Sequence, residues 1–356
     1  MNETMREFLT RLLDAHGPSG YETAPARVWR EEAETFADDV WLDVHGNSFA
    51  AVGPEDAPRV MLAGHIDEIG LMVHHIDDDG YLYVQAVGGW DPQVLVGQRV
   101  RILADDGIVP GVVGRKAIHL IDRDDRDKAV KIKELWIDIG AKDREEATSR
   151  VRVGDVAVLD GETVQLANDR FAARSIDDRI GALVALEALR RVSRKSLGVR
   201  AVAVATTQEE IGYRSGGGAA PGTFGLEPTA AVVIDVTHAT DHPSVDRKEH
   251  GDVDLGGGPV LSRGAVVNAV LYRLLTEAAG EAGITVQVFA APSATGTDAD
   301  SIYTARSGVA TAVVSVPNRY MHSPSQMVAA QDVEAASELI ATLLAGLSGE
   351  ESFLPD

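Results

Sequence analysis

The chain has 356 residues, 45% of them hydrophobic, and carries 33 Lys and Arg against 55 Asp and Glu for a formal charge of -22. That length is enough for about two domains with a sizeable core, while the acid excess argues against a nucleic-acid partner, whose phosphates call for concentrated Lys and Arg. With no cysteine, disulfides and thiolate metal sites are excluded.

The amino-terminal residues 1–14 place Met5, Phe8, Leu9, Leu12 and Leu13 at helical spacing among Glu3, Arg6, Glu7 and Arg11, which reads as an amphipathic helix and not a signal peptide. No stretch is apolar and long enough for a bilayer, so no membrane is expected and the cytoplasm is the default location. An apolar run over residues 59–64 then ends in His65-Ile66-Asp67-Glu68-Ile69-Gly70. His65 has the chemistry of a metal ligand, and Asp67, on the same side by period-two alternation, that of a partner orienting the imidazole.

Over residues 71–161 the character changes to short alternating strands, at 71–76, 81–87, 98–103, 111–114, 130–132 and 155–159. Asp78-Asp79-Gly80 and Asp105-Asp106-Gly107 supply hairpin turns. This segment reads as a small β-barrel inserted into an α/β domain made of residues 1–70 and 162–356. In that outer domain helices at 180–192, 264–282, 299–306 and 332–347 alternate with apolar strands, the pattern of a mostly parallel or mixed sheet with helices on both faces.

Most of those strands stop at a ligand-type residue. The strand over 199–205 runs into Thr206-Thr207-Gln208-Glu209-Glu210-Ile211-Gly212, where two adjacent carboxylates open a glycine-rich turn at 215–218. On a regular strand neighbouring side chains diverge, so both glutamates serve one site only where the backbone has left strand geometry, which Gly212 and the glycine run permit. Asp235 closes the strand over 230–234, and His322 follows the strand over 309–316. Asp177 stands before the 180–192 helix, where an ordinary helix cap is the simpler reading.

His65, Asp177, Glu210, Asp235 and His322 form a nitrogen and oxygen donor set suited to zinc, cobalt or manganese. Five ligands serve two ions if one carboxylate bridges, and a water held between two such ions is acidified toward neutrality. Glu209 is then left to act as general base, passing the water's proton to a leaving amine.

The five segments Gly64-His65-Ile66-Asp67-Glu68-Ile69-Gly70, Asp177-Asp178-Arg179-Ile180-Gly181, Thr207-Gln208-Glu209-Glu210-Ile211-Gly212, Val233-Ile234-Asp235-Val236-Thr237 and Arg319-Tyr320-Met321-His322-Ser323-Pro324 resemble, in order and over essentially the whole chain, the tetrahedral (TET) aminopeptidases. That group includes glutamyl, leucyl and deblocking aminopeptidases, some labelled endoglucanases. The resemblance implies that His65 and Asp235 hold one metal, Glu210 and His322 the other, and that Asp177 bridges them, with Glu209 as base and Asp67 behind His65. It also implies two divalent ions per subunit, short peptide substrates, a PDZ-like insert that mediates dimerisation, and a homo-oligomer built from dimers, commonly a dodecamer.

Three other functions stand against a dinuclear aminopeptidase. A related metal-dependent deacylase or carboxypeptidase would use the same donors, but such relatives usually carry their insert later in the chain. A non-catalytic assembly scaffold would have no need of an intact base and five ligands, and a glycosidase would need two carboxylates that work without metal across a sugar ring.

Other motifs have simpler readings. His119 is expected in packing or a dimer contact, and His74 and His75, adjacent on a strand, are expected on opposite faces. Asp241-His242-Pro243 reads as a turn, and Gly256-Gly257-Gly258 as a flexible loop near the substrate rather than a phosphate loop. Thr295-Gly296-Thr297-Asp298-Ala299-Asp300 reads as a helix cap or a wall of the substrate site.

Overall fold

A computed structural model of the chain describes residues 1–212 and 216–354. Ser215, the first residue of the glycine-rich turn, lies outside them. The chain divides into two compact units, one made of residues 1–67, 163–321 and 325–356, the other of residues 68–162 with 322–324.

The first unit is built on an eight-stranded mixed sheet in the order Asp39–Leu42, Ser48–Val52, Arg200–Thr206, Arg59–His65, Ala230–His238, Ala310–Asn318, Val260–Gly264 and Gln287–Ala291. Four central strands, from Arg200–Thr206 across to Ala310–Asn318, run parallel. They are buried on both faces, so they read as near-continuous apolar runs. Alternate residues go to opposite cores: Val60 and Leu62 join the cluster under the long helices, while Met61 and Ala63 join the one under Ala219–Leu226 and Ala299–Ile302. The helices Glu3–Asp14, Ile176–Val192, Ala269–Ala282 and Ala330–Gly346 cover the first face. The mixed sheet with helices on both sides follows the expectation from sequence.

Helix ends differ in instructive ways. The helix expected from residue 264 begins only at Ala269, because residues 260–264 form a strand paired on both sides and Asn268 caps the helix through Val270 N and Leu271 N at 3.0 Å each. The helix expected over 299–306 stops at Ile302.

The second unit closes a six-stranded barrel in the order Gly70–Ile76, Leu82–Val87, Trp136–Asp138, Gly107–Gly114, Arg99–Ala104 and Val156–Leu159. Both expected hairpins form, with Gly80 at φ 87° and Gly107 at φ 127° supplying the turn conformations that side chains disfavour. Residues 130–132 are not a strand. A 3-10 turn at Ile132–Glu134 replaces it, with Lys131 N donating to Glu134 Oε2, and the chain joins the barrel at Trp136–Asp138. His74 and His75 are both exposed, because the register shifts between Val73 and His75 and turns the two rings outward together. His119 is exposed in a short 3-10 turn.

Candidate metal centre

Three of the parallel strands bring their carboxyl ends together, the position at which open α/β sheets hold ligands. His65 and Thr206 are paired in register at the ends of neighbouring strands, and Asp235 lies on the next strand. Asp177 arrives from the start of the long buried helix. That helix approaches the sheet at van der Waals limits because Gly64 and Gly181 lack side chains. A Cβ on Gly64 would stand 2.3 Å from the Gly181 carbonyl carbon, and one on Gly181 would stand 2.6 Å from the Ile234 oxygen.

Donor atoms of His65, Asp177 and Asp235, all buried, lie within 4.8 Å of one another, and an oxygen of Glu210 lies within the same distance of one of Asp177. His65 Nε2 is 3.1 Å from Asp177 Oδ1 and 3.9 Å from Glu209 Oε2, while its Nδ1 is 3.3 Å from Asp67 Oδ1. The Asp177–Asp178 peptide is cis. The capping role expected of Asp177 falls to its neighbour: Asp178 Oδ1 accepts Gly181 N at 3.0 Å and Oδ2 accepts His65 N at 3.2 Å. Asp177 is thereby left to face the imidazole, and its own amide is held by Gln326 Oε1 at 2.8 Å.

Glu209 and Glu210 share the short helical turn Glu209–Gly212, the departure from strand geometry that two useful neighbouring carboxylates require. Asp67 is the hub beneath it. Its Oδ1 accepts Glu209 N and its Oδ2 accepts Glu210 N, both at 3.1 Å. His322 belongs to the second unit, where its ring stands against Gly89: a Cβ there would lie 3.2 Å from His322 Nδ1.

The electrostatics suit a cation. Burial, reinforced by Asp235, Asp298 and Glu210, outweighs the pull of His65 and pushes the Glu209 carboxyl up to about 10. Burial raises Asp235 well above the carboxylate range and Asp177 adds to it, although His65 opposes the shift. Burial alone would depress His65, but Asp177 and Asp67 outweigh it and hold the imidazole well above its ordinary value. Desolvation pulls Asp67 upward, yet His65, Ser19 and the Glu210 amide keep it below the usual range. Acids crowded this closely, with Glu209 Oε1 buried and without a hydrogen-bond partner among the described residues, are what a divalent cation relieves. The donors fit such an ion.

The family is decided by comparison with known proteins. Residues 46–339 match the M42 glutamyl aminopeptidase model. The chain belongs to the M42 glutamyl aminopeptidase family. As a member of that family it is a peptidase. It is 37% identical to a lysyl aminopeptidase of Pyrococcus furiosus over 95% of this chain and 96% of that one. Its fold superposes with a TM-score of 0.91 on a TET aminopeptidase from Thaumarchaeota archaeon SCGC AB-539-E09, at 34% identity and 97% coverage of both chains. A TM-score of 0.85, at 30% identity over 96% of this chain and all of the other, relates it to a Pyrococcus horikoshii peptidase described as assembling into a tetrahedron or a large octahedral shell.

Four buried polar residues around the site did not emerge from the sequence: Ser19, Glu22, Asp178 and Gln326. Asp298, expected in a helix cap or a substrate wall, stands at the N-cap position of the Ala299–Ile302 helix without a side-chain cap bond; it accepts Thr206 Oγ1 at 2.5 Å, and burial pushes it up to about 6. The glycine loop at 256–258 is anchored rather than loose, with Gly256 N and Gly258 N donating to Asp332 at 2.7 and 2.9 Å. Asp241 pairs with Arg319 at 2.8 and 2.7 Å and accepts Leu255 N at 3.0 Å, so the expected turn is also an anchor.

Proposed function

We propose that this chain is a dinuclear metal-dependent aminopeptidase that removes amino-terminal residues from short peptides. The observation that carries the reading is the convergence of His65, Asp177 and Asp235 beside Glu209. His65 and Asp235 would hold one ion and Glu210 and His322 the other, with Asp177 between them. The place of His322 rests on its motif and on the family. Bound divalent cations supply Lewis acidity, lowering the pKa of a water and polarising the scissile carbonyl.

The chain's own groups do the rest. Glu209 takes a proton on Oε1, the atom without a hydrogen-bond partner among the described residues, and gives it to the leaving nitrogen. Asp67 fixes the imidazole from the Nδ1 side, orienting Nε2. Zinc or cobalt suits the donor set best, and manganese is also accommodated. The barrel unit is proposed as the dimerisation element of a homo-oligomer, on the strength of the family resemblance, with the cytoplasm as its place of action.

The test is hydrolysis of a panel of free and N-acetylated aminoacyl anilides by chelated enzyme, before and after titration with zinc, cobalt or manganese. Metal-restored cleavage confined to free amino termini is expected. Cleavage of blocked substrates alone would make the chain a deacylase, and inactivity with every metal would leave an assembly scaffold.

A further inference from the structure

The turn that carries Glu209 and Glu210 is held from a distant part of the chain. Its three consecutive amides, Gln208 N, Glu209 N and Glu210 N, each donate to a buried carboxylate: the first to Glu22 Oε1 at 3.1 Å, the other two to Asp67 at 3.1 Å. Asp67 is in turn fixed by Ser19, whose Oγ donates to Oδ2 at 2.6 Å. Ser19 and Glu22 belong to the short connection between the helices Glu3–Asp14 and Thr23–Ala33, and both are buried, at 3% and 6% exposure.

Local structure does not account for them. Glu22 occupies the N-cap position of the Thr23–Ala33 helix, yet its side chain makes no cap hydrogen bond. Its Oε1 accepts the nearby Gly20 N at 2.6 Å and, across 186 residues of sequence, Gln208 N. A buried carboxylate that leaves its own helix end uncapped works against the helix, and such a departure from local preference marks a functional constraint. Its distant partner is itself unusual: Gln208 holds φ at 60°, a left-handed conformation that non-glycine residues keep only where surroundings enforce it.

We propose that Ser19 and Glu22 are positioning residues for catalysis, an amino-terminal clamp that with Asp67 sets the direction of the Glu209 side chain. The proposal rests on the reading of Glu209 as the base. Neither Ser19 nor Glu22 touches substrate; they act through the 208–210 backbone, where a displacement of about 1 Å costs on the order of 100-fold in rate. Glu22 works as an acceptor, so an amide oxygen in its place serves the same purpose.

The experiment compares Ser19→Ala, Glu22→Ala, Glu22→Gln and Glu209→Gln in the full-length, cobalt-loaded enzyme. It uses the best substrate among the free aminoacyl p-nitroanilides and records kcat, KM, melting temperature and bound metal. Glu22→Ala and Ser19→Ala should lose roughly 10- to 100-fold in kcat, with KM within about twofold and metal content near that of the parent. Glu22→Gln should recover most of the Glu22→Ala loss. Should Glu22→Ala fail to fold, Ser19→Ala, which deletes a single hydroxyl, decides alone. The clamp is overturned if both alanine variants keep parental kcat, if their losses track metal release, or if glutamine rescues nothing. Loss of turnover in Glu209→Gln alongside unaffected Ser19→Ala and Glu22→Ala would sink the clamp and leave the base standing. Full activity in Glu209→Gln would sink the base itself.

Discussion

In the proposed reading Glu209 is the residue on which the chemistry turns, because its Oε1 is buried and without a hydrogen-bond partner among the described residues while its Oε2 stands 3.9 Å from His65 Nε2. Glutamine preserves its volume and removes its basicity. Glu209→Gln should therefore leave metal binding near parental stoichiometry while lowering kcat by roughly 100- to 10,000-fold, the range typical of general-base loss. Elemental analysis beside steady-state kinetics separates this from a ligand defect, and a kcat within threefold of the parent would remove Glu209 from the role. Glu22 makes a stability prediction of the opposite kind. Burial, and next Asp67, lift its carboxyl from 4.5 to about 7 despite three backbone donors. The folded chain thus keeps a proton that the unfolded chain releases, so this group's contribution is full below pH ~4.5, falls as pH rises, and is lost above ~7. Glu22→Gln abolishes that titration. Denaturant melts from pH 5 to 8 should show the variant gaining on the parent as pH rises, by up to about 3 kcal/mol at pH 8. A constant difference across that range would show that Glu22 titrates normally.

At the scale of elements, the site is a consequence of how closely one helix meets two strands. Gly64 precedes His65 and Gly181 lies one turn beyond Asp177 and Asp178, and each is hemmed in by backbone atoms that cannot swing aside. Gly64→Ala should push the Ile176–Val192 helix off the sheet, costing roughly 1–3 kcal/mol as overpacking does, and should weaken metal binding through the displaced Asp177. Calorimetry with a metal titration checks both effects; a variant with parental melting temperature and affinity would show that the helix yields without moving the ligand. This scale also explains what could be read from sequence. The parallel strands were legible because each is an uninterrupted apolar run ending at a ligand-type residue, and the hairpins because Asp-Gly pairs leave few alternatives. Residues 130–132 misled because a three-residue alternation holds too little periodicity to separate strand from turn. The outward pairing of His74 and His75 depends on a bulge, which one strand's sequence does not encode without its partner. Ser19 and Glu22 stayed hidden for a different reason: their partners lie 48 and 186 residues away, and nothing in a serine and a glutamate before a helix distinguishes them from ordinary capping residues.

For the whole molecule, the charge of -22 and the exposed apolar residues pull in opposite directions. Self-repulsion keeps acidic chains apart at low ionic strength. Yet Val44 is fully exposed, and Leu42, Phe224 and Leu120 are exposed by 58%, 61% and 67%, so apolar groups are available at the surface for contacts. If copies of this chain associate through such surfaces, salt should favour assembly twice over, by screening the repulsion and by strengthening apolar burial when the anion is sulfate. Light scattering across 0.05 to 1 M ionic strength should then show the high-mass fraction growing, with a limiting mass of about 450 kDa if twelve 37.8 kDa chains close into a shell. Dissociation on adding salt would mean that ion pairs, and not apolar contacts, dominate the interfaces. The sign of that dependence also bears on catalysis, because a peptide carrying a positive charge approaches an acidic surface faster at low salt. Assembly and substrate capture would therefore respond to ionic strength in opposite senses, and kcat/KM for lysyl and leucyl anilides measured across the same series resolves the two.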